Sequence, residues 1–272
     1  MNDSTGTNAR QTPSATFRTD RVMLVRLSLT ATDEVCGRLE QLLSAEERER
    51  ALRRLPTVRR RAVVSRGRLR QLLGRVLNLP PAEVVLQTNQ HGKPGLTGSL
   101  AGRCEFNVTH SGDEGLIAVA VDRPVGVDLE IGKPTQTVDW ARLMAGTIFG
   151  EAELARWQGV PDSQAAAAVL DAWVTKEAVF KAVGTGIGDR LRQCELPSVI
   201  PRVDLTAWAA PVDCQLVKVS PLGPASAAES GVGVTLLSLQ PTWHVAVATT
   251  AARCSLWLTD FESVLRGDLP LR

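Results

Sequence analysis

Three short stretches of this 272-residue chain carry residues whose types and spacing could do chemistry. The first is Gly126-Val127-Asp128-Leu129-Glu130. In a strand, residues two apart point the same way, with Cα atoms about 6.5–7 Å apart. Asp128 and Glu130 then share one face, while Val127 and Leu129 turn to a core. Two carboxylates converging there repel each other unless a cation lies between them. Oxygen-only ligands favour a hard ion such as Mg²⁺, which keeps waters and takes substrate phosphate as well. The same five residues also suit a half-buried edge strand with two solvated acids.

The second stretch runs from Trp173 through Lys176, Glu177 and Lys181 to Gly186. Glu177 and Lys181 are four apart and share a helix face, with Trp173 one turn earlier. They could be an ordinary surface ion pair. Glu177 could instead complete a three-carboxylate metal site, with Lys176 and Lys181 neutralising phosphate oxygens. The third stretch, Phe106-Asn107-Val108-Thr109-His110-Ser111-Gly112, puts a histidine and hydroxyls where a strand turns. An anion or a proton could be met there, although a lone histidine is more often structural. His91-Gly92-Lys93-Pro94-Gly95 reads as a turn bearing one lysine, or simply as a solvated loop.

These stretches need elements to hold them. Residues 21–29 alternate apolar and polar, as a first strand does. A helix follows from Asp33 to Leu43. Ser44, with Glu47 three residues later, forms a capping box for the next helix, which Pro56 ends or bends. Val58 to Leu77 is again helical. Three strands then hold CEFNVTHS, GLIAVAVD and VGVDLE, with Asp122-Arg123-Pro124 as a turn. TVDWARLMAG is helical, and an alanine-rich helix runs from Ser163 to Val183, closed by Gly184. GVTLLSL, HVAVATT and CSLWL are late strands, and 221–231 reads as a flexible surface loop. The expected organisation is a disordered leader (1–20) and two α/β halves, 21–122 and 123–272.

Composition excludes several classes. With 44% hydrophobic and 22% charged residues, the chain can bury a sizeable core. No apolar run approaches the ~18–20 residues needed to span a bilayer, and the polar N-terminus lacks a secretory h-region. Five scattered cysteines without a C-x-x-C pair suggest neither a zinc site nor a disulfide framework, but reduced thiols in a cytoplasmic protein. The net charge is only +2, yet residues 44–76 hold eleven arginines against three glutamates. That asymmetry fits a solvated helix face, an anion site or a nucleic-acid patch. The last is weakened by an aromatic content of 4% and the absence of tyrosine.

G-V-D-L-E, W-V-T-K-E-A-V-F-K-A-V-G-T-G, F-N-V-T-H-S-G and G-K-P stand in the order and spacing of the Sfp-type 4′-phosphopantetheinyl transferases, which the chain resembles over about residues 44–190. The resemblance implies an α+β, pseudo-two-fold fold with coenzyme A in the cleft between two similar subdomains. It implies transfer of 4′-phosphopantetheine to a serine of an apo acyl- or peptidyl-carrier protein, releasing adenosine 3′,5′-bisphosphate. By position, Asp128, Glu130 and Glu177 look like ligands of Mg²⁺, with Mn²⁺ as an alternative. Glu177 is also the candidate base, and with Lys181 and His110 makes up the catalytic candidates; Lys181 and Lys176 would stabilise pyrophosphate charge, and His110, Thr109 and Lys93 contact the phosphates. V-S-R-G-R-L-R resembles the stretch lining the adenosine pocket, which places Arg66 and Gly67 there and offers Arg54 and Arg61 to the 3′-phosphate. Two halves in one chain imply a monomer, and the composition leads us to expect no nucleic-acid or membrane partner. Three other readings stand beside this one: a non-catalytic module that binds coenzyme A or a carrier, a different Mg²⁺-dependent nucleotide enzyme, and a basic nucleic-acid binder.

Overall fold

The computed structural model describes residues 21–205, 211–221 and 231–267. The expected leader at 1–20, and all but the ends of the loop expected at 221–231, lie outside those residues. The first half comprises β1 (Arg21–Ser28), α1 (Asp33–Gln41), α2 (Ala45–Leu52), α3 (Pro56–Leu77), a small hairpin of β2 (Leu86–Thr88) and β3 (Pro94–Leu96), then β4 (Glu105–Ser111) and β5 (Glu114–Ala120). The second opens on β6 (Val125–Ile131), followed by α4 (Val138–Ile148), α5 (Glu151–Trp157) and α6 (Asp162–Val183). It continues through β7 (Arg202–Asp204), β8 (Val212–Gln215), β9 (Val217–Val219), β10 (Val232–Ser238), β11 (Trp243–Thr249), β12 (Arg253–Asp260) and α7 (Phe261–Arg266).

Local chemistry sets the helix ends. Ser44 Oγ accepts from the Glu47 amide at 3.2 Å, while the Ser44 amide donates to the Glu47 carboxylate at 2.9 Å. These reciprocal bonds satisfy two of the donors that a helix start leaves unpaired. Pro56 opens α3 at its first turn, where the missing N–H costs nothing. Gly184 closes α6 in the left-handed region at φ +79°, which glycine adopts without a Cβ clash.

The fold is α+β and repeats itself. One sheet has the order β4-β5-β1-β12-β8 and the other β6-β11-β10-β7, with β9 also on β10. In each half an opening strand pairs with the second strand of a later hairpin, giving β1-β5-β4 and β6-β11-β10. In each half a 22-residue helix, α3 or α6, precedes that hairpin. The two sheets pack face to face: Val22 and Leu24 of β1 and Leu116 and Ala118 of β5 meet Val127 and Leu129 of β6 and Val245 and Val247 of β11. Helix α3 covers the outer face of the first sheet and α6 that of the second. Val127 and Leu129 thus turn to the inter-sheet core, and Asp128 and Glu130 to the α6 side.

The short elements α5, α7, β2, β3 and β7 to β9 were not expected from the sequence, and two larger features differ from its reading. β1 does not alternate buried and exposed residues: Val22, Met23, Leu24 and Val25 are each at most 2% exposed. A strand covered on both faces reads as a continuous apolar run. The halves are also not divided cleanly at 122–123. β12 pairs in parallel with β1, Met23 opposite Trp257, and α7 sends Phe261 and Val264 into the α3 core. The first sheet is completed by the end of the chain because β1 needs a neighbour on each edge. The five cysteines are free thiols, with Cys214 and Cys254 opposite each other on β8 and β12. Among the described residues, no helix is long and apolar enough to cross a membrane.

Candidate active site

β6 and α6 bring the acidic stretches together. A Cβ on Gly126 would stand 2.0 Å from the Ala178 carbonyl oxygen, so only glycine lets α6 lie this close to β6. Glu177 and Lys181 therefore project over Asp128 and Glu130. Lys181 Nζ donates to Asp128 Oδ1 at 2.6 Å, and Thr109 Oγ1 donates to the same oxygen at 2.9 Å. Asp128 Oδ2 is buried with no partner. Glu130 accepts from Ser111 Oγ at 3.0 Å.

The carboxylates feel one another. Burial raises the Glu177 carboxyl to about 7; Lys181 opposes the shift and the charges of Asp128 and Glu130 add to it. Burial also raises Glu130, partly offset by its bond from Ser111, with Asp128 pushing it further. A carboxyl near neutrality is suited to taking and giving a proton. Among the described residues, no three His, Cys, Asp or Glu side chains close on a point that holds a metal by themselves. The donor set nevertheless suits a hard divalent cation: two mutually repelling glutamates, a buried aspartate oxygen without a partner, and no sulfur or nitrogen ligand.

From this cluster a groove leads into the first half. It consists of two adjoining cavities of about 330 and 480 Å³ that share Gly92, Pro94 and Val108 in their walls. The first is lined by Lys93, Glu177, Lys181 and Gly186, the second by Arg54, Arg66 and His110. Lys93 Nζ donates to the carbonyls of Val125 and Ala182, both at 3.3 Å, and so ties the β2–β3 turn to the second half. Burial lowers the Lys93 pKa. His110 is also lowered, by burial first and then by the charges of Lys181, Arg61 and Arg54.

The arginine-rich helices now divide. Ten of the eleven arginines of 44–76 bond to a carboxylate or a backbone carbonyl, for example Arg61 to Asp113 at 2.7 Å and Arg70 to Glu47 at 2.8 Å. The Arg54 guanidinium has no such partner among the described residues and faces the larger cavity with His110. Arg66 stands 3.6 Å from Glu47, and burial lowers its pKa.

Three expected site residues sit elsewhere. Lys176 stands away from the groove: it is 0% exposed, and its ammonium donates to Glu153 at 2.6 Å and to the carbonyls of Ile148 and Leu191. All three of its protons are used. Gly67 does not line the groove; it packs on α1, where a Cβ would lie 2.7 Å from Leu39 Cβ. Thr109 is not free for phosphate, since its hydroxyl donates to Asp128 and accepts from the Leu129 amide and Lys181. Successive strand residues point to opposite faces, which sends His110 to the groove and Thr109 to the carboxylates. Two contributors were not foreseen, and a third, Ser111, was named only as a hydroxyl at the strand turn. Asn89 accepts from the amides of His91 and Lys93 and donates to the Gly184 carbonyl, an Asx turn for which Asn before Gln-His-Gly was a signal. Ser111 was readable as the residue two beyond Thr109. Glu153 had no signal in the sequence.

Comparison with known proteins agrees with this geometry. Residues 31–122 match the family described as 4′-phosphopantetheinyl transferase, N-terminal, and residues 124–210 the 4′-phosphopantetheinyl transferase superfamily. The chain is 34% identical over 186 residues to the 4′-phosphopantetheinyl transferase HetI of Nostoc sp., covering 68% of this chain and 77% of that one. The chain belongs to the 4′-phosphopantetheinyl transferase family. Other relatives include the transferase AcpT of Salmonella typhimurium, 31% identical over 55% of this chain and 73% of its own. The L-aminoadipate-semialdehyde dehydrogenase-phosphopantetheinyl transferase of Xenopus laevis is 32% identical over 49% and 46%. The two family matches meet at residues 122 and 124 of this transferase, at the turn before β6.

Proposed function

We propose that this transferase moves 4′-phosphopantetheine from coenzyme A to a serine of an apo carrier protein or carrier domain, leaving adenosine 3′,5′-bisphosphate. The observation that carries the reading is the polarity of the groove. Arg54, with no side-chain partner, and His110 stand at one end, and three mutually repelling carboxylates with Lys181 stand at the other. A long polyanionic ligand suits the first, and a cation shared with its pyrophosphate suits the second. Arg54, Arg66 and His110 bind the nucleotide phosphates in this reading, and Lys93 and Lys181 face the pyrophosphate. Asp128, Glu130 and Glu177 would hold Mg²⁺, or Mn²⁺ in its place. The ion would neutralise charge developing on the phosphate oxygens. Glu177, in its ionised form, takes the serine proton as Oγ attacks the phosphorus that bears pantetheine. The bond from that phosphorus to the nucleotide phosphate breaks, and Lys181 compensates the charge left behind. Positioning and electrostatics are most of what phosphoryl-type transfer asks of a protein. We place the enzyme in the cytoplasm as a monomer, with no nucleic-acid or membrane partner.

The test is intact mass spectrometry of an apo carrier domain incubated with the protein, coenzyme A and Mg²⁺. A mass gain of one phosphopantetheine that disappears with Glu177→Ala and with chelator supports the reading. Tight coenzyme A binding with no transfer to several unrelated carriers would leave a non-catalytic binding module instead.

A further inference from the structure

β4 and β6 are each the edge strand of a different sheet, and no backbone ladder joins them. An edge strand carries a row of amides that must find partners when buried. Here side chains supply them. Asn107 Oδ1 accepts from the Val127 amide at 3.0 Å, Thr109 Oγ1 from the Leu129 amide at 3.3 Å, and Ser111 Oγ from the Ile131 amide at 3.2 Å. The three acceptors are alternate residues of β4 and the three donors alternate residues of β6, so the seam keeps one register. The two hydroxyls then act a second time: Thr109 donates to Asp128 Oδ1 at 2.9 Å and Ser111 to Glu130 Oε2 at 3.0 Å.

We propose that Asn107, Thr109 and Ser111 form a side-chain rail that joins the two halves and sets the cation-binding carboxylates, with Ser111 the positioning residue for Glu130. The inference rests on the metal reading given above. A hydroxyl that accepts from a fixed backbone amide has its remaining hydrogen aimed elsewhere, and in Ser111 that hydrogen points at Glu130. One carboxylate oxygen is thereby tethered while the other stays available to an ion. The register of the seam fixes where Glu130 stands, so closing the two halves together and building the metal site are one event. Outer partners of this kind commonly govern metal affinity by about 10- to 100-fold.

The experiment is calorimetric titration of coenzyme A into the wild type, Ser111→Ala and Ser111→Thr across a range of Mg²⁺ concentrations, with melting temperatures alongside. Ser111→Ala is expected to need about tenfold more Mg²⁺ for half-maximal tightening of coenzyme A. Ser111→Thr, which keeps the hydroxyl, restores the wild-type value. In a Glu130→Gln background the effect of Ser111→Ala disappears, because the group it acts through is gone. Ser111→Cys, of similar volume and with a poorer donor, serves if Ser111→Ala does not fold. Wild-type Mg²⁺ dependence in Ser111→Ala, or a threonine variant as impaired as the alanine one, overturns the proposal alone. Coenzyme A binding to the wild type that ignores Mg²⁺ overturns the metal reading and this inference with it.

Discussion

Arg54 and His110 show how single side chains are singled out by what they lack. Among the arginines of 44–76, only Arg54 has no partner among the described residues, so its charge is available to a ligand. Arg54→Ala is expected to raise the coenzyme A KM about 10- to 100-fold, the worth of a charge-assisted hydrogen bond. The loss should vanish when 3′-dephospho-coenzyme A is the donor. Arg61→Ala, which removes a partner of Asp113, should cost less; an equal or larger effect would reassign the phosphate to Arg61. His110 lies below the ordinary value of about 6.5 because burial and three cationic neighbours disfavour its charged form. A depressed histidine keeps its full stability above the unfolded pKa, and stability falls as pH drops from about 6.5 through the folded pKa. NMR titration should place His110 below 6.5 in the free protein and move it upward when coenzyme A is added. A pKa at or above 6.5 in the free protein would mean that the cations do not surround it.

At the scale of elements, the seam between β6 and α6 and the packing of α5 on α6 hold the site in place. Gly126→Ala inserts a methyl where a backbone carbonyl stands 2.0 Å away. Overpacking of this kind costs about 1–3 kcal/mol, and here it also pushes Glu177 and Lys181 off β6. Denaturant unfolding and activity should fall together; retained activity would show that α6 can slide without harm. Lys176 is the buried counter-ion of Glu153, which in turn accepts from the amides of Gly150 and Leu196. Lys176→Met leaves that carboxylate buried without its cation, at a cost of about 3–5 kcal/mol. Urea midpoints read this directly. A variant of native stability with only a raised coenzyme A KM would restore Lys176 to the phosphate site. Much at this scale was legible beforehand: the capping box at Ser44, the glycine stop at Gly184, and the i,i+2 and i,i+4 spacing that places Asp128, Glu130, Glu177 and Lys181. The role of Lys176 was not, because neighbouring residues on a helix point to different sides, and only packing decides which side is buried.

For the whole molecule, the return of β12 to β1 interlocks the halves. A chain truncated before Arg253 loses the parallel neighbour of β1 together with Phe261 and Val264 of α7. It should be insoluble or molten rather than half-folded. For the same reason the intact protein should unfold in one transition, with tryptophan fluorescence and far-ultraviolet circular dichroism coinciding. Two separated transitions would show that the halves fold independently.

The sequence by itself determined five of the seven helices with the caps at Ser44 and Gly184, the strands that carry each motif, and the shared face of Asp128 and Glu130. All of these follow from contacts within a few residues along the chain. Only the tertiary structure decided that β12 closes the first sheet, that Gly67 faces α1, that Lys176 is spent on Glu153, and that Thr109 and Ser111 serve the carboxylates rather than a phosphate. Those outcomes depend on groups tens to hundreds of residues apart. Which of them meet is set by the burial of both faces of β1 and by the amides of the edge strand β6, which had to find partners.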